Sequence, residues 1–250
     1  MSEERTALIT GGGSGIGAAT AERFGRAGVR VAILGRDESK LVSTAEAVRK
    51  ESGAAPLVVP ADQKDDTAVK EAVARVVKEF GRIDILVNNA AVYELGGAAD
   101  ASMEHWDRIM DINFRGALLV TREVLACQRE QGSGVIVNVA STLGFRTIPG
   151  VAAYACSKSA LLMLTQCLAL EEAQHGIRIV AVCPGFVDTP IHTVQGEERD
   201  RLLERMAELH PLNRVGTSDE VAAMIEYLSN DDARWMTGSV VTIDGGVSLR

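Results

Sequence analysis

The sequence predicts a single α/β domain: a doubly wound, mostly parallel seven-stranded sheet with helices on both faces. Three observations predict it. Short apolar runs of strand length alternate with longer stretches of helical spacing almost to the end of the chain. No Pro/Gly/Ser-rich linker or internal repeat divides the 250 residues, so residues 1–250 read as one domain. Aromatic residues make up 4% of a composition that is 46% hydrophobic, so the core rests on Val, Ile, Leu, Ala and Met, which suits buried parallel strands under Ala-rich helices.

The elements follow in order. Thr6–Thr10 is an apolar run short enough to be a buried strand, and Ile16–Ala27 after it has helical spacing. The β-branched run Val29–Leu34 predicts the second strand, Glu38–Glu51 the second helix, Pro56–Val59 the third strand and Thr67–Phe80 the third helix. Ile83–Val87 reads as a strand, Met103–Arg129 as one long helix, Gly134–Val139 as a strand, Tyr154–His175 as a helix and Ile177–Val182 as a strand. Residues 191–211 break this rhythm with polar residues and a short helical stretch, the pattern of an insertion over a site or of a long surface loop. A last helix over Ser218–Leu228 leads to a seventh strand at Val240–Ile243.

The formal charge is -8 and no Lys/Arg block is present, so neither nucleic acid nor an anionic membrane is an expected partner. The start lacks a signal-like leader, and no stretch holds the roughly 18 consecutive apolar residues of a membrane span. Cys127, Cys156, Cys167 and Cys183 show no CxxC pairing and read as reduced, buried, small hydrophobes. The four histidines are too dispersed to suggest a metal site. A cytoplasmic location is the expectation.

Local chemistry concentrates where strands end. The first strand runs into TGGGSGIG, Thr10 to Gly17, and then into a helix. In such a turn, backbone N–H groups and the positive end of the helix face a pyrophosphate. Gly11 allows the turn, Gly15 close phosphate approach, and Gly17 the approach of helix to sheet. The sequence lacks the Gly-Lys-Ser/Thr ending of a nucleoside-triphosphate loop. At the end of the second strand, where an NAD site carries an acidic residue, stand Gly35 and Arg36. A guanidinium there suits a 2′-phosphate, which favours NADP(H) and leaves NAD(H) open, because Asp37 could neutralise Arg36 or cap the next helix. Asp62 after the third strand is a candidate acceptor for an adenine amino group, or a turn residue. Small residues at Ala90 and Ala91 after the fourth strand would let the backbone pass close to a cofactor.

Ser141 lies just past the fifth strand, and Tyr154 and Lys158 stand at i and i+4 on one helix face. A cation near a phenol favours phenolate, so the pair suits proton transfer to or from a carbonyl or alcohol oxygen, with Ser141 hydrogen-bonding that oxygen. No Gly-x-Ser-x-Gly elbow supports a serine hydrolase.

Nearly the whole chain resembles the short-chain dehydrogenase/reductase family in its compact form. The resemblance rests on TGGGSGIG, NNAA, Asn113 in DINFRG, Ser141, YACSK, PGFVDTP and TGSVVTIDGG, in order, and on the Ser141–Tyr154 spacing. It implies a Rossmann fold and a catalytic tetrad of Asn113, Ser141, Tyr154 and Lys158. In it Tyr154 is the general acid/base, Lys158 lowers its pKa and binds ribose hydroxyls, Ser141 polarises the substrate, and Asn113 holds a kinked helix and a water leading to Lys158. It further implies cofactor contacts from Thr10, Gly11, Gly15, Ile16, Gly17, Arg36, Asp62, Asn88 to Ala90, Tyr154, Lys158, Pro184, Gly185, Val187 and Thr189, with the loop over 190–211 closing on substrate. A homotetramer or homodimer is expected on the same ground. Ala91 departs from the family's usual glycine.

The resulting expectation is hydride transfer between a nicotinamide cofactor and a small-molecule carbonyl or secondary alcohol. The alternatives are a 3-oxoacyl-thioester reductase, an NAD-dependent alcohol, sugar or cyclic diol dehydrogenase, and a non-catalytic cofactor sensor. Tyr93, Phe145 and Ile191 suggest an apolar wall, whereas Arg146 or His192 would suit an anionic group.

Overall fold

The strands are β1 (Thr6–Thr10), β2 (Arg30–Gly35), β3 (Leu57–Pro60), β4 (Ile85–Asn88), β5 (Gly134–Val139), β6 (Ile177–Pro184) and β7 (Val240–Ile243), in a computed structural model that describes residues 4–250. They form one sheet in the order β3-β2-β1-β4-β5-β6-β7, and every neighbouring pair is parallel. The chain therefore folds as a single-domain α/β Rossmann-like unit. The order reverses between β1 and β4, and such a switch point opens a crevice at the carboxyl ends of the strands.

Strand alternation divides the core into two layers. Ala7, Ile9, Val31, Ile33, Val135 and Val137 face one side with Phe24 of α1 (Gly15–Arg26) and Leu41 of α2 (Glu38–Ser52). Leu8, Ala32, Leu34, Leu86 and Ile136 face the other, against α3 (Asp66–Phe80) and the long helices described next. Each fully buried Leu or Ile contributes about 1.5–3 kcal/mol, so a sheet covered twice supplies a rigid base for the crevice.

The stretch predicted as one helix over Met103–Arg129 is interrupted. It comprises α4 (Met103–Met110), a π-helical turn (Asp111–Gly116) and α5 (Ala117–Gln131). A π turn holds one extra residue per turn and rotates the following helix. At its end Gly116 allows close approach to Gln63, whose Cγ would lie 2.7 Å from an added Cβ. The remaining helices are α6 (Ala152–Glu172), α7 (Gly196–Leu209) and α8 (Ser218–Ser229), the last opened by a Thr217–Glu220 capping box. The interruption over 191–211 thus holds a fourteen-residue helix with no buried residue.

Two expectations need correction. With the turn after it, α6 (Ala152–His175) is long and apolar enough to cross a membrane, but half of it is buried within this fold, as a core helix is. Only Cys183 is a buried thiol: Cys127 is half-buried, and Cys156 and Cys167 lie on the exposed side of α6. All four cysteines are free.

Candidate active site

The crevice is braced from both of its sides. Thr10 Oγ1, at the end of β1, accepts hydrogen bonds from Asn89 N (3.0 Å) and Ala90 N (3.1 Å). Asn89 Nδ2 donates back to Thr10 O at 2.9 Å and to Gly11 O at 3.2 Å. The loop after β4 is thereby stitched to the glycine-rich turn. Gly11 has φ +66°, and an added Cβ would lie 2.8 Å from Ala90 Cα. A Cβ on Gly17 would overlap Gly11 O and lie 2.6 Å from Asn89 Nδ2. Side chains cannot enter the turn at Gly11 or Gly17, so backbone is exposed there, the property required of a pyrophosphate cradle. Asn213 is the only described non-glycine residue with positive φ, so the Ala91 methyl imposes no backbone strain.

Other expected cofactor residues fall around this cradle with distinct roles. Thr189 packs on Gly15, its Cβ 3.3 Å from where a Gly15 Cβ would stand. Ile16 packs into the core beneath the turn. Arg36 is exposed at the end of β2 and forms no ion pair among the described residues, because Asp37 caps α2 instead: its side chain accepts from Lys40 N (3.3 Å) and Ser39 Oγ (2.6 Å). Asp62 serves a turn, accepting from Lys64 N at 3.0 Å. Asn88 points away from the turn, donating to Thr121 Oγ1 and Asn138 Oδ1, both at 2.8 Å, so its side chain joins β4 to β5 and α5. Pro184 ends β6, and Gly185 runs so close to β7 that a Cβ would meet Asp244 Cα at 2.9 Å. Val187 is buried and bridges to Gly216.

Asn113, Ser141, Tyr154 and Lys158 converge at the same edge, each less than one-tenth exposed. Tyr154 opens α6 and packs with Ile109, Val92, Trp106 and Leu143. Burial pushes its phenol up to about 12, with the Ser141 hydroxyl acting in the opposite direction. Lys158 lies one turn further, its Nζ 5.7 Å from the Tyr154 ring centroid and donating to Val139 O at 2.8 Å. Burial brings its ammonium down to about 8. Desolvation is the largest cause of the upward shift at Tyr154 and outweighs the Ser141 hydroxyl, so Tyr154 is held protonated at neutral pH.

The π turn aims Asn113 at the loop after β4. Its Oδ1 accepts from Val92 N (2.8 Å), while Nδ2 donates to Val92 O (2.9 Å) and to Ser157 Oγ (3.1 Å). Ser157 in turn donates to Tyr154 O at 2.7 Å. One amide thus fixes the spacing between the β4 loop and the Tyr154 turn of α6, with its donors and acceptor all engaged by protein groups. Sequence reasoning missed Ser157 and Gln63. Gln63 Nε2 ties the π turn to the crevice through Ile112 O (2.7 Å) and Ala90 O (3.3 Å). Neither carries a local signal, since both act through space.

Arg146 donates to the carbonyl of Ser248 and is engaged there, while Phe145 is exposed. His192 instead stacks on Phe186 (centroids 4.2 Å apart) and meets the Tyr93 ring edgewise at 5.5 Å.

Residues 11–248 match the family model described as enoyl-(acyl carrier protein) reductase. The chain is 39% identical to the 2-(R)-hydroxypropyl-CoM dehydrogenase of Xanthobacter autotrophicus, covering 96% of this chain and 97% of that protein. It is 37% identical to a 3-oxoacyl-[acyl-carrier-protein] reductase of Thermotoga maritima, covering 99% of each. Among solved structures, levodione reductase superposes with a TM-score of 0.94 at 35% identity over 98% of both chains. With a glycine-rich cradle beside a buried Ser–Tyr–Lys group on this fold, the chain belongs to the short-chain dehydrogenase/reductase family and is an NAD(P)-dependent oxidoreductase acting on CH–OH or C=O groups.

Proposed function

We propose that Tyr154 is the general acid that protonates a small-molecule ketone during reduction, and the base in the reverse direction. The carrying observation is its buried phenol, held protonated next to Ser141 and one helical turn from Lys158. A bound nicotinamide supplies or takes the hydride. Burial keeps the Tyr154 proton in place until an acceptor oxygen arrives, and Ser141 donates a hydrogen bond to that oxygen as negative charge develops. Lys158, cationic below about pH 8, offsets the charge left on Tyr154 and would bind the ribose hydroxyls of the cofactor. Asn113 acts as a positioning residue through Val92 and Ser157.

The cofactor favoured is NADP(H). Arg36 is exposed and unpaired among the described residues while Asp37 is spent on the helix cap, which leaves a guanidinium to receive a 2′-phosphate. Residues 190–211 cover the substrate, tethered by the Arg199–Asp188 ion pair. Exposed Met163 and Leu170 on α6, with Trp235, support a homodimer or homotetramer, and four free thiols support a reducing, cytoplasmic setting.

The test is titration of the purified protein with NADPH and NADH by cofactor fluorescence, followed by turnover on a panel of ketones and secondary alcohols. NADPH binding at least about tenfold tighter, a difference of about 1.4 kcal/mol, with turnover on the panel, supports the reading. Equal or tighter NADH binding refutes the role of Arg36, and absence of turnover refutes that of Tyr154.

A further inference from the structure

Four rings from three segments form a continuous row at the mouth of the crevice. Phe186, just beyond β6, stacks face to face on His192, with centroids 4.2 Å apart and planes 10° from parallel. His192, in the segment leading to α7, meets Tyr93 edgewise at 5.5 Å. Tyr93, in the loop after β4, meets the Tyr154 ring edgewise at 5.1 Å and 81°. Both ends of the row are anchored. The N–H of Phe186 is donated to His210 Nε2 at 3.3 Å, and the opposite nitrogen of that buried imidazole lies 2.7 Å from Met206 O in α7. Toward the other end, Asn113 grips the backbone of Val92, the residue before Tyr93, and donates to Ser157, which donates in turn to Tyr154 O.

Charge is absent from this row. Glu94 is paired with Arg108 at 2.9 Å and faces His105 at 3.5 Å. Asp188 is paired with Arg199, and Arg146 is bound to the Ser248 carbonyl. Burial holds His192 toward its neutral form, against the pull of Asp188, and Tyr93 is likewise pushed toward its neutral form by burial. A substrate reaching Tyr154 along this row meets aromatic faces and neutral polar tips; the cation beside Tyr154, Lys158, is buried and donates to Val139 O, and Arg146 donates to Ser248 O.

Resting on the assignment of Tyr154 as the reacting acid, we infer that the enzyme takes neutral cyclic ketones or their alcohols, and that His192 is the specificity-determining residue for them. Flat apolar walls fit a compact ring, which has few rotors to freeze on binding. Anionic open-chain substrates leave their charge desolvated without a partner. His192 selects because it joins the two halves of the row: removing its ring separates Phe186 from Tyr93 and opens the wall.

The experiment compares kcat/KM for cyclohexanone, 2-butanone and acetoacetyl-coenzyme A in wild type, His192→Ala and His192→Phe, with whichever reduced cofactor the protein binds. Wild type is expected to favour cyclohexanone over both others by at least about tenfold. His192→Ala should lower the ring-over-chain ratio by about tenfold, chiefly through KM, and His192→Phe should restore it to within about threefold. A preference for acetoacetyl-coenzyme A, or an unchanged ratio in His192→Ala, overturns this inference while leaving the role of Tyr154 intact. A wild type inert toward all three, yet binding cofactor, overturns the Tyr154 assignment and this inference with it.

Discussion

Lys158→Met should stabilise the fold at neutral pH while abolishing turnover. The Lys158 side chain is 2% exposed, and burial brings its pKa from 10.5 down to about 8. Below about pH 8 the amine is charged in both folded and unfolded chains, so the full cost of holding that charge inside is present. Between about 8 and 10.5 the unfolded chain binds more protons than the folded one, so stability rises with pH across that window. The gap corresponds to about 3 kcal/mol of destabilisation at neutral pH. Methionine fills a similar volume without charge, but it leaves Val139 O without the donor now 2.8 Å away, a loss of about 1 kcal/mol. The net expectation is a variant more stable by about 2 kcal/mol near pH 7, equivalent to a rise of about 4–8 °C in Tm for a chain of this size. Urea unfolding of both proteins near pH 7 and again above pH 10 reads the difference directly. The advantage should vanish or reverse at the higher pH. A variant less stable than wild type near pH 7, or a gap of equal size at both values, would refute the buried-charge argument.

Two further outcomes follow from the cradle. Gly17→Ala places a methyl against Gly11 O and Asn89 Nδ2, and should cost about 1–3 kcal/mol in urea unfolding and weaken NADPH binding at least tenfold; native stability and affinity would contradict the close contact. Arg36→Ser should weaken NADPH binding by about tenfold while leaving the NADH dissociation constant within twofold. Equal losses for both cofactors would place Arg36 outside the recognition of the 2′-phosphate.

The sheet was legible in the sequence because its strands are buried on both faces. A run such as Ala7-Leu8-Ile9 sends alternate residues into opposite core layers, so it reads as continuously apolar. The glycine-rich turn was legible for a related reason, since backbone-only geometry must be written in residues lacking Cβ. The π turn over Asp111–Gly116 was hidden from periodicity, because one added residue leaves the apolar spacing on either side intact; only the resemblance implied a kink there. The exposed thiols of α6 were hidden as well. That helix is apolar around its circumference, so pattern alone could not separate buried Leu161 and Leu168 from exposed Met163 and Leu170. The upward push on the Tyr154 phenol escaped too, because spacing along a helix says nothing of the burial that causes it. Gln63 and Ser157 work through contacts across 27 and 44 residues of chain, which no local pattern records.

The central claim is that the Tyr154 phenol transfers the proton in a reaction whose cofactor is held elsewhere in the crevice. Tyr154→Phe removes one oxygen from a ring that is 8% exposed and packed on Val92 and Leu143. Single-turnover reduction of a ketone, measured beside NADPH titration on the same sample, tests this most directly. The prediction is a fall in rate of about 10²- to 10⁴-fold with the NADPH dissociation constant within about threefold of wild type. A variant that binds NADPH normally and still turns over within tenfold of wild type would contradict it.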